Sequence, residues 1–106
     1  MFVYVYGNST VAGTIREALH KRAVQVLDQT AEMEALAECS VALLCVDSLA
    51  HAEKSLRPVE GLRSLFKILI VTDPKLYPVY RKMGAELVLL TRQKPENLDW
   101  LIADLV

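Results

Sequence analysis

The chain has 106 residues, about the size of one typical domain, and 53% of them are hydrophobic. Twelve basic and thirteen acidic side chains leave a formal net charge of −1, and the basic residues are spread along the chain in small groups. A protein that holds a phosphate backbone usually concentrates positive charge on one face. The composition therefore predicts one globular domain, residues 1–106, and argues against nucleic acid as a partner.

The sequence carries no signal for a membrane or for export. Its apolar runs fall short of the roughly 18 to 20 residues that cross a bilayer, and the N-terminus lacks the basic start and the cleavage site of a signal peptide. We therefore expect a cytoplasmic protein with no direct membrane insertion. Cys39 and Cys45 have no companion ligands at metal spacing, so we expect buried or semi-buried free thiols.

Five apolar runs that do not alternate with polar residues read as strands of a covered parallel sheet. They are residues 2–6, 23–27, 41–46, 66–71 and 87–90. Their first residues are 18 to 25 positions apart, which leaves room for a crossover helix in each connection. The pattern predicts a single three-layer α/β/α domain with a five-stranded parallel sheet, Rossmann-like or flavodoxin-like. The two forms differ in strand order, which the pattern does not specify.

The connections show helical periodicity and helix-capping residues. Residues 8–10 offer N-caps for a helix in which every fourth residue from Val11 is apolar. Further helices are expected over Leu49–Leu56 and over 96–105. Asp73 followed by Pro74 is a start signal for another helix. Pro78 either kinks that helix or delays its start, because proline lacks an amide donor.

Ligands of an open parallel sheet bind beyond the carboxyl ends of its strands. The first such end carries Gly7, Asn8, Ser9 and Thr10, and the second run ends at Asp28, 21 residues after Gly7. A dinucleotide fold places a glycine turn, small residues and a ribose-binding acid at these positions. An adenine nucleotide or NAD is the predicted ligand at these residues, and Asp47, after the third strand, is predicted to belong to the same site. In the alternative interpretation, Ser9 or Thr10 caps the first helix and Asp28 caps the next.

Most of the chain resembles a known family of regulatory domains. The stretches that carry the resemblance are residues 5–9, 27–28, 41–47, 72–74 and 80–88. They resemble the nucleotide-binding domains that gate potassium channels and transporters, the RCK or KTN type. The resemblance implies a Rossmann-like, non-catalytic regulatory domain that binds an adenine nucleotide or dinucleotide at the glycine turn and acts through dimerisation.

A second resemblance rests on the strand ends at Asp47 and Thr72 and on Gly84, which leads into the last strand. These positions resemble the receiver domains of response regulators, in which that aspartate is phosphorylated. Such phosphoryl transfer needs an acidic pair after the first strand to hold Mg²⁺ and a lysine after the fifth. Here Gly7 and Asn8 occupy the first place and Thr91 the second. This alternative predicts a pseudo-receiver, a protein-interaction module of a signalling system that is not phosphorylated. Asp47 also fits a helix-capping role.

No conventional catalytic set is present in the sequence. His20 and His51 lack a partner nucleophile at a recognisable spacing and are expected at the surface. We therefore expect neither catalytic residues nor metal ligands, and no enzyme.

One feature favours a partner surface. On the last predicted helix Trp100 points away from the apolar stripe, and tryptophan on an outward face is typical of an interface. Tyr77 and Tyr80 extend this predicted patch, although Tyr80 fits the core equally well. The expected partner is a second copy of the chain, giving a homodimer, or another protein.

Overall fold

The computed structural model describes residues 2–28 and 32–91, apart from the side chain of Met33. Its strands are β1 (Phe2–Tyr6), β2 (Gln25–Leu27), β3 (Val41–Cys45), β4 (Phe66–Val71) and β5 (Leu87–Leu90). All pairings are parallel, and the strand order is β2-β1-β3-β4-β5. In the Rossmann order the third strand would lie beside the second, so this sheet has the flavodoxin-like order. The predicted parallel α/β fold is confirmed, and its strand order is now fixed.

The sheet follows the apolar runs closely, with two exceptions. β2 begins at Gln25 rather than Ala23, because Ala23 adopts a left-handed conformation with φ 58° and belongs to the turn after the first helix. The N–H of Val24 donates to the carbonyl of Leu19, which holds that turn in place. β3 ends at Cys45, so Val46 and the residues after it belong to the loop.

The helices are α1 (Thr10–Lys21), α2 (Met33–Ala37), α3 (Leu49–Leu56) and α4 (Tyr77–Tyr80). α3 has the predicted bounds. α4 is short because Pro74–Leu76 forms a 3₁₀ turn and Pro78 lies in the first turn of the α-helix, where its missing amide donor costs nothing. Pro78 therefore delays the start of α4, one of the two outcomes that the sequence left open. The helix predicted over 96–105 lies outside the described residues, as does Trp100.

The helices divide between the two faces of the sheet. α1 packs its buried residues Val11, Ile15 and Leu19 against one face. α2, α3 and α4 contribute to the core on the other face. Tyr80 lies in that second core with 0% exposure. This corrects the prediction that Tyr80 extends a surface patch: its ring fills the space between α4 and the sheet, and no part of it is free to contact a partner.

Two further expectations from the sequence concern the cysteines and membrane insertion. Cys39 and Cys45 are buried free thiols, as predicted. Within the described residues, no helix has the length and the apolar character needed to cross a bilayer.

The amino end of the sheet is tied together by a buried lysine. The Lys67 ammonium donates to the carbonyl oxygens of Leu62 at 3.2 Å and Leu65 at 3.4 Å, and lies 3.5 Å from the Glu86 carboxylate. The other Glu86 oxygen accepts the Lys67 backbone N–H at 2.7 Å. Burial raises the pKa of Glu86, but these hydrogen bonds and the lysine charge outweigh it, so its pKa lies below the usual value. The pair joins β4, β5 and the connection from α3.

Candidate functional site

A pocket of about 550 Å³ lies beyond the carboxyl ends of the strands, within the size range of small-molecule sites. β1 lies between β2 and β3, so the pocket occupies the point at which the strand order reverses, where this fold binds its ligands. The lining residues follow or end β1, β3, β4 and β5. They are Asn8, Ser9, Thr10, Val11, Cys45, Val46, Asp47, His51, Ile70, Thr72 and Thr91.

Gly7 brings β1 close to β3 at the edge of this pocket. Its φ is +123°, and a Cβ atom built on it would lie 2.6 Å from the carbonyl oxygen of Cys45. Only glycine fits such an approach without displacing the neighbouring backbone. The sequence predicts Gly7 as the turn beneath a pyrophosphate. The structure gives this glycine a packing role that does not depend on any ligand.

Ser9 acts as the N-cap of α1. Its hydroxyl accepts the backbone N–H of Ala12 at 3.3 Å, and its carbonyl accepts that of Gly13, the first bond of the helix. The alternative interpretation of Ser9, as a helix cap, is therefore the one that the structure supports. The N–H groups of Thr10 and Val11 precede the first intrahelical bond and have no acceptor within the helix.

Asp47 lies two residues beyond β3, at the mouth of the pocket. Its side chain is 83% exposed, and its carboxylate lies 3.1 Å from Nδ1 of His51. Because an ionised carboxylate only accepts hydrogen bonds, Nδ1 carries the proton and donates. α3 is capped by Ser48, whose hydroxyl accepts the His51 backbone N–H at 3.1 Å. The prediction that Asp47 caps α3 is therefore wrong, because the next residue does so.

His51 is not a simple surface side chain. Its side chain is 32% exposed, its ring centroid lies 5.2 Å from that of Tyr6, and it lines the pocket. The expectation of a surface histidine is corrected by this packing. The sequence spacing could have indicated this position. His51 follows Asp47 by four residues, in the first turn of a helix that starts just after a strand end. His20, by contrast, is exposed in the last turn of α1, as expected.

The floor of the pocket consists of side chains that end β3, β4 and β5. Burial raises the pKa of the Cys45 thiol to about 12, although the positive charge of Arg16 opposes the rise, so the thiol stays protonated and unreactive at neutral pH. Thr91 is 4% exposed, and its hydroxyl has no hydrogen-bond partner among residues 2–28 and 32–91. Thr72 is half-buried. The strand-end rule marks Thr72 and Thr91, but no linear motif does.

The predicted nucleotide-binding set is only partly assembled. Asn8, Ser9, Thr10 and Asp47 line the pocket, and Gly7 adjoins it through Cys45. Asp28 is exposed at the end of β2 and is not among the lining residues. Asp28 thus lies outside the lining of this pocket, at the end of the neighbouring strand. Within the described residues, no group of three or more His, Cys, Asp or Glu is placed to hold a metal ion.

Tyr77, of the predicted interface, is half-buried on α4. Its hydroxyl donates to the carbonyl of Val88 at 3.4 Å, and the Arg81 guanidinium lies 6.0 Å from its ring centroid. A recess of about 260 Å³ is lined by Tyr77, Arg81, Ala85, Glu86, Leu87 and Val88. This recess lies between α4 and β5, on a different part of the molecule from the pocket.

No protein-family model matches the chain, and no curated protein matches it either. Solved structures do match. The response regulator protein from Burkholderia multivorans is 16% identical, with 98% of this chain and 93% of that chain covered and a TM-score of 0.58. The fold is receiver-like. This confirms the fold that the second resemblance implied.

Two further matches are pilus assembly proteins. The putative CpaE2 protein from Sinorhizobium meliloti is 16% identical, covering 99% of this chain and 97% of that chain, with a TM-score of 0.57. The CpaE protein from Caulobacter crescentus is 18% identical, covering 99% and 98%, with a TM-score of 0.54. Identities this low show the fold alone. The resemblance to potassium-channel domains gains no support from these matches, and the strand order differs from the Rossmann order.

Proposed function

We propose that the chain is a pseudo-receiver, a non-catalytic regulatory domain that is not phosphorylated on Asp47 and that acts by contacting another protein. The main support is the geometry at Gly7. Any side chain at this position meets the Cys45 carbonyl, so the end of β1 cannot present the carboxylate that a receiver places there. Asn8, which follows, is neutral. Mg²⁺ binds chiefly through carboxylates and phosphates, and Asp47 is the only carboxylate among the lining residues described.

The other receiver positions support the same proposal. Asp47 is paired with His51 and is mostly exposed, so its carboxylate points outward from the pocket floor. At the end of β5, buried Thr91 occupies the place of the lysine that neutralises the transferred phosphoryl group. A phosphoryl group on Asp47 would therefore lack both of the cations that stabilise it in a working receiver.

The surface between α4 and β5 is the proposed contact site. We define the α4–β5 surface by Tyr77, Val79, Arg81 and Leu87. Val79 is 45% exposed and Leu87 is 38% exposed, which places two large apolar side chains in solvent near an aromatic ring and an arginine. Aromatic residues and arginine are enriched in protein interfaces. Because two of the similar structures are pilus assembly proteins, components of such a machinery are the first partners to test.

Phosphorylation is tested by incubating the protein with acetyl phosphate and Mg²⁺ and measuring its intact mass. We expect no gain of a phosphoryl group, while a phosphorylatable response regulator in the same mixture is modified. A phosphoryl adduct on the wild type that is missing from Asp47→Asn would contradict the proposal.

The α4–β5 surface is tested with a photo-crosslinking amino acid at position 87 in the native host. A matched control carries the same amino acid at position 54, which is exposed on α3. We expect a discrete adduct from position 87 only, weakened by Arg81→Glu. An adduct of twice the chain mass identifies a homodimer, and any other mass identifies a different partner. Equal adducts from both positions, or none from position 87, would overturn this part of the proposal.

A further inference from the structure

The stretch of chain that contains α4 carries positive charge and no acid. We define the α4 segment as residues 74–85, which include Lys75, Arg81 and Lys82 but neither Asp nor Glu. All three cations are exposed. Within the described residues, none of the three lies at salt-bridge distance from a carboxylate. The α4 segment is therefore a basic patch on a chain whose formal net charge is −1.

The two acids that border the α4 segment are engaged in other contacts. The Asp73 carboxylate accepts the backbone N–H of Lys75 at 2.9 Å and caps the 3₁₀ turn. The Glu86 carboxylate accepts the backbone N–H of Lys67 at 2.7 Å and lies 3.5 Å from its ammonium. The charge of Glu86 is thus balanced by a buried lysine. Neither acid forms an ion pair with the cations of the α4 segment.

Arg81 is placed to receive a carboxylate. Its guanidinium lies 6.0 Å from the centroid of the Tyr77 ring and lines the recess between α4 and β5. A guanidinium presents its N–H donors as a planar fork that matches the two oxygens of a carboxylate. In the part of the chain that the structure describes, the Arg81 guanidinium donates no hydrogen bond. Its donors are therefore available to a group from another molecule.

Exposed apolar side chains lie among these cations. Val79 is 45% exposed and Leu87 is 38% exposed. Val79 lies about one helical turn after Lys75 and one before Lys82, whose N–H donates to the Val79 carbonyl at 3.0 Å. An interface covers apolar side chains with apolar side chains and places charges of opposite sign against each other. The surface therefore calls for a partner that is both apolar and negatively charged.

We propose that the partner at the α4–β5 surface is an acidic segment of a protein. Its carboxylates pair with Lys75, Arg81 and Lys82, and an apolar side chain of the same segment covers Val79 and Leu87. The concave recess beside Arg81 accommodates an inserted side chain, which favours a protein segment over a flat, negatively charged membrane. This inference rests on the proposed function, because it specifies the chemistry of the partner at the same surface.

The charge of the partner is tested by photo-crosslinking from position 87 in a variant with two lysines reversed, Lys75→Glu and Lys82→Glu. Both positions are exposed, so this variant should fold like the wild type. We expect the adduct yield to fall about tenfold or more, because two attractive contacts become repulsive. Lys75→Arg with Lys82→Arg preserves both charges and should preserve the adduct.

A matched control changes the net charge by the same amount at exposed positions outside the α4–β5 surface. It combines Arg22→Glu, after α1, with Lys54→Glu, on α3, and should leave the adduct yield unchanged. Mass spectrometry of the wild-type adduct should also place Asp or Glu within a few residues of the crosslinked position in the partner.

Two results would overturn the acidic partner and leave the proposed function standing. One is an adduct of equal yield in the wild type and in the variant with reversed lysines. The other is a crosslinked partner segment that contains no acid. A wild type that forms no protein adduct, as binding to a membrane would give, overturns both the acidic partner and the proposed contact site.

Discussion

The two ends of the sheet differ in how their polar groups are paired. At the amino end, Lys67 and Glu86 satisfy each other and the nearby carbonyls of Leu62 and Leu65. At the carboxyl end, the Thr91 hydroxyl has no partner within the described residues, and Thr10 and Val11 of the first turn of α1 line a pocket. Pairing polar groups stabilises a fold, whereas leaving them unpaired weakens it. The polar groups of the amino end are therefore more fully paired than those of the carboxyl end.

The largest effect is expected where the carboxyl end is most constrained, at Gly7. Gly7→Ala forces a Cβ against the Cys45 carbonyl at a positive φ and should cost about 3 kcal/mol or more of unfolding free energy. Gly13→Ala is the matched control, because a Cβ there meets nothing within 4 Å and alanine favours a helix. The control should gain about 0.5–1 kcal/mol in urea unfolding. Similar values for the two variants would show that β1 and β3 are not packed as described.

The second test concerns the amino end. Lys67→Met removes the ammonium donor from the carbonyls of Leu62 and Leu65 and from one Glu86 oxygen and should cost about 2–3 kcal/mol. The other Glu86 oxygen keeps its hydrogen bond from the backbone N–H of residue 67. Lys21→Met is the control, because Lys21 pairs with Glu17 only at the surface, at 3.9 Å, and should change stability by less than about 0.5 kcal/mol. If urea unfolding gives equal losses, the amino end is not held by the buried lysine.

A smaller effect is expected from pH. The pKa of Glu86 is lowered in the folded state, so its contribution is complete above the unfolded value of about 4.3. The contribution is lost as the pH falls through the folded pKa. The difference in unfolding free energy between the wild type and Glu86→Gln should therefore disappear below the folded pKa. The effect should be smaller than that of Lys67→Met because the Glu86 side chain is 37% exposed and partly screened. If the difference stayed constant down to pH 3, the ionised Glu86 carboxylate would not stabilise the fold as described.

Much of the fold was predictable because its central strands are buried on both faces. β1 and β4 have the bounds of their apolar runs, since nearly continuous burial leaves a continuous apolar sequence. The edge strand β5 also has its predicted bounds, although Leu87 and Leu90 are exposed. β2 was less predictable because a left-handed residue, Ala23, lies inside its apolar run. Strand order was not predictable, because it depends on which strand edges meet and not on the pattern within any one strand.

The site was less predictable than the fold. The glycine-turn motif led to Asn8, Ser9 and Thr10, which do line the pocket, and to Asp28, which does not. A motif read along one connection cannot show which side chains from other strands meet it. Cys45 and Thr91 reach the pocket from β3 and β5, and only the strand order brings them together.

The central contrast is tested most directly by the unfolding free energy of Thr91→Val without any ligand. If the carboxyl end keeps an unpaired hydroxyl, valine of the same shape should raise the free energy of unfolding by about 1 kcal/mol, because a buried donor without a partner is removed. A loss of about 1 kcal/mol instead would mean that the Thr91 hydroxyl is paired and stabilises the fold. The polar groups of the carboxyl end would then be paired as fully as those of the amino end, which would contradict the contrast between the two ends.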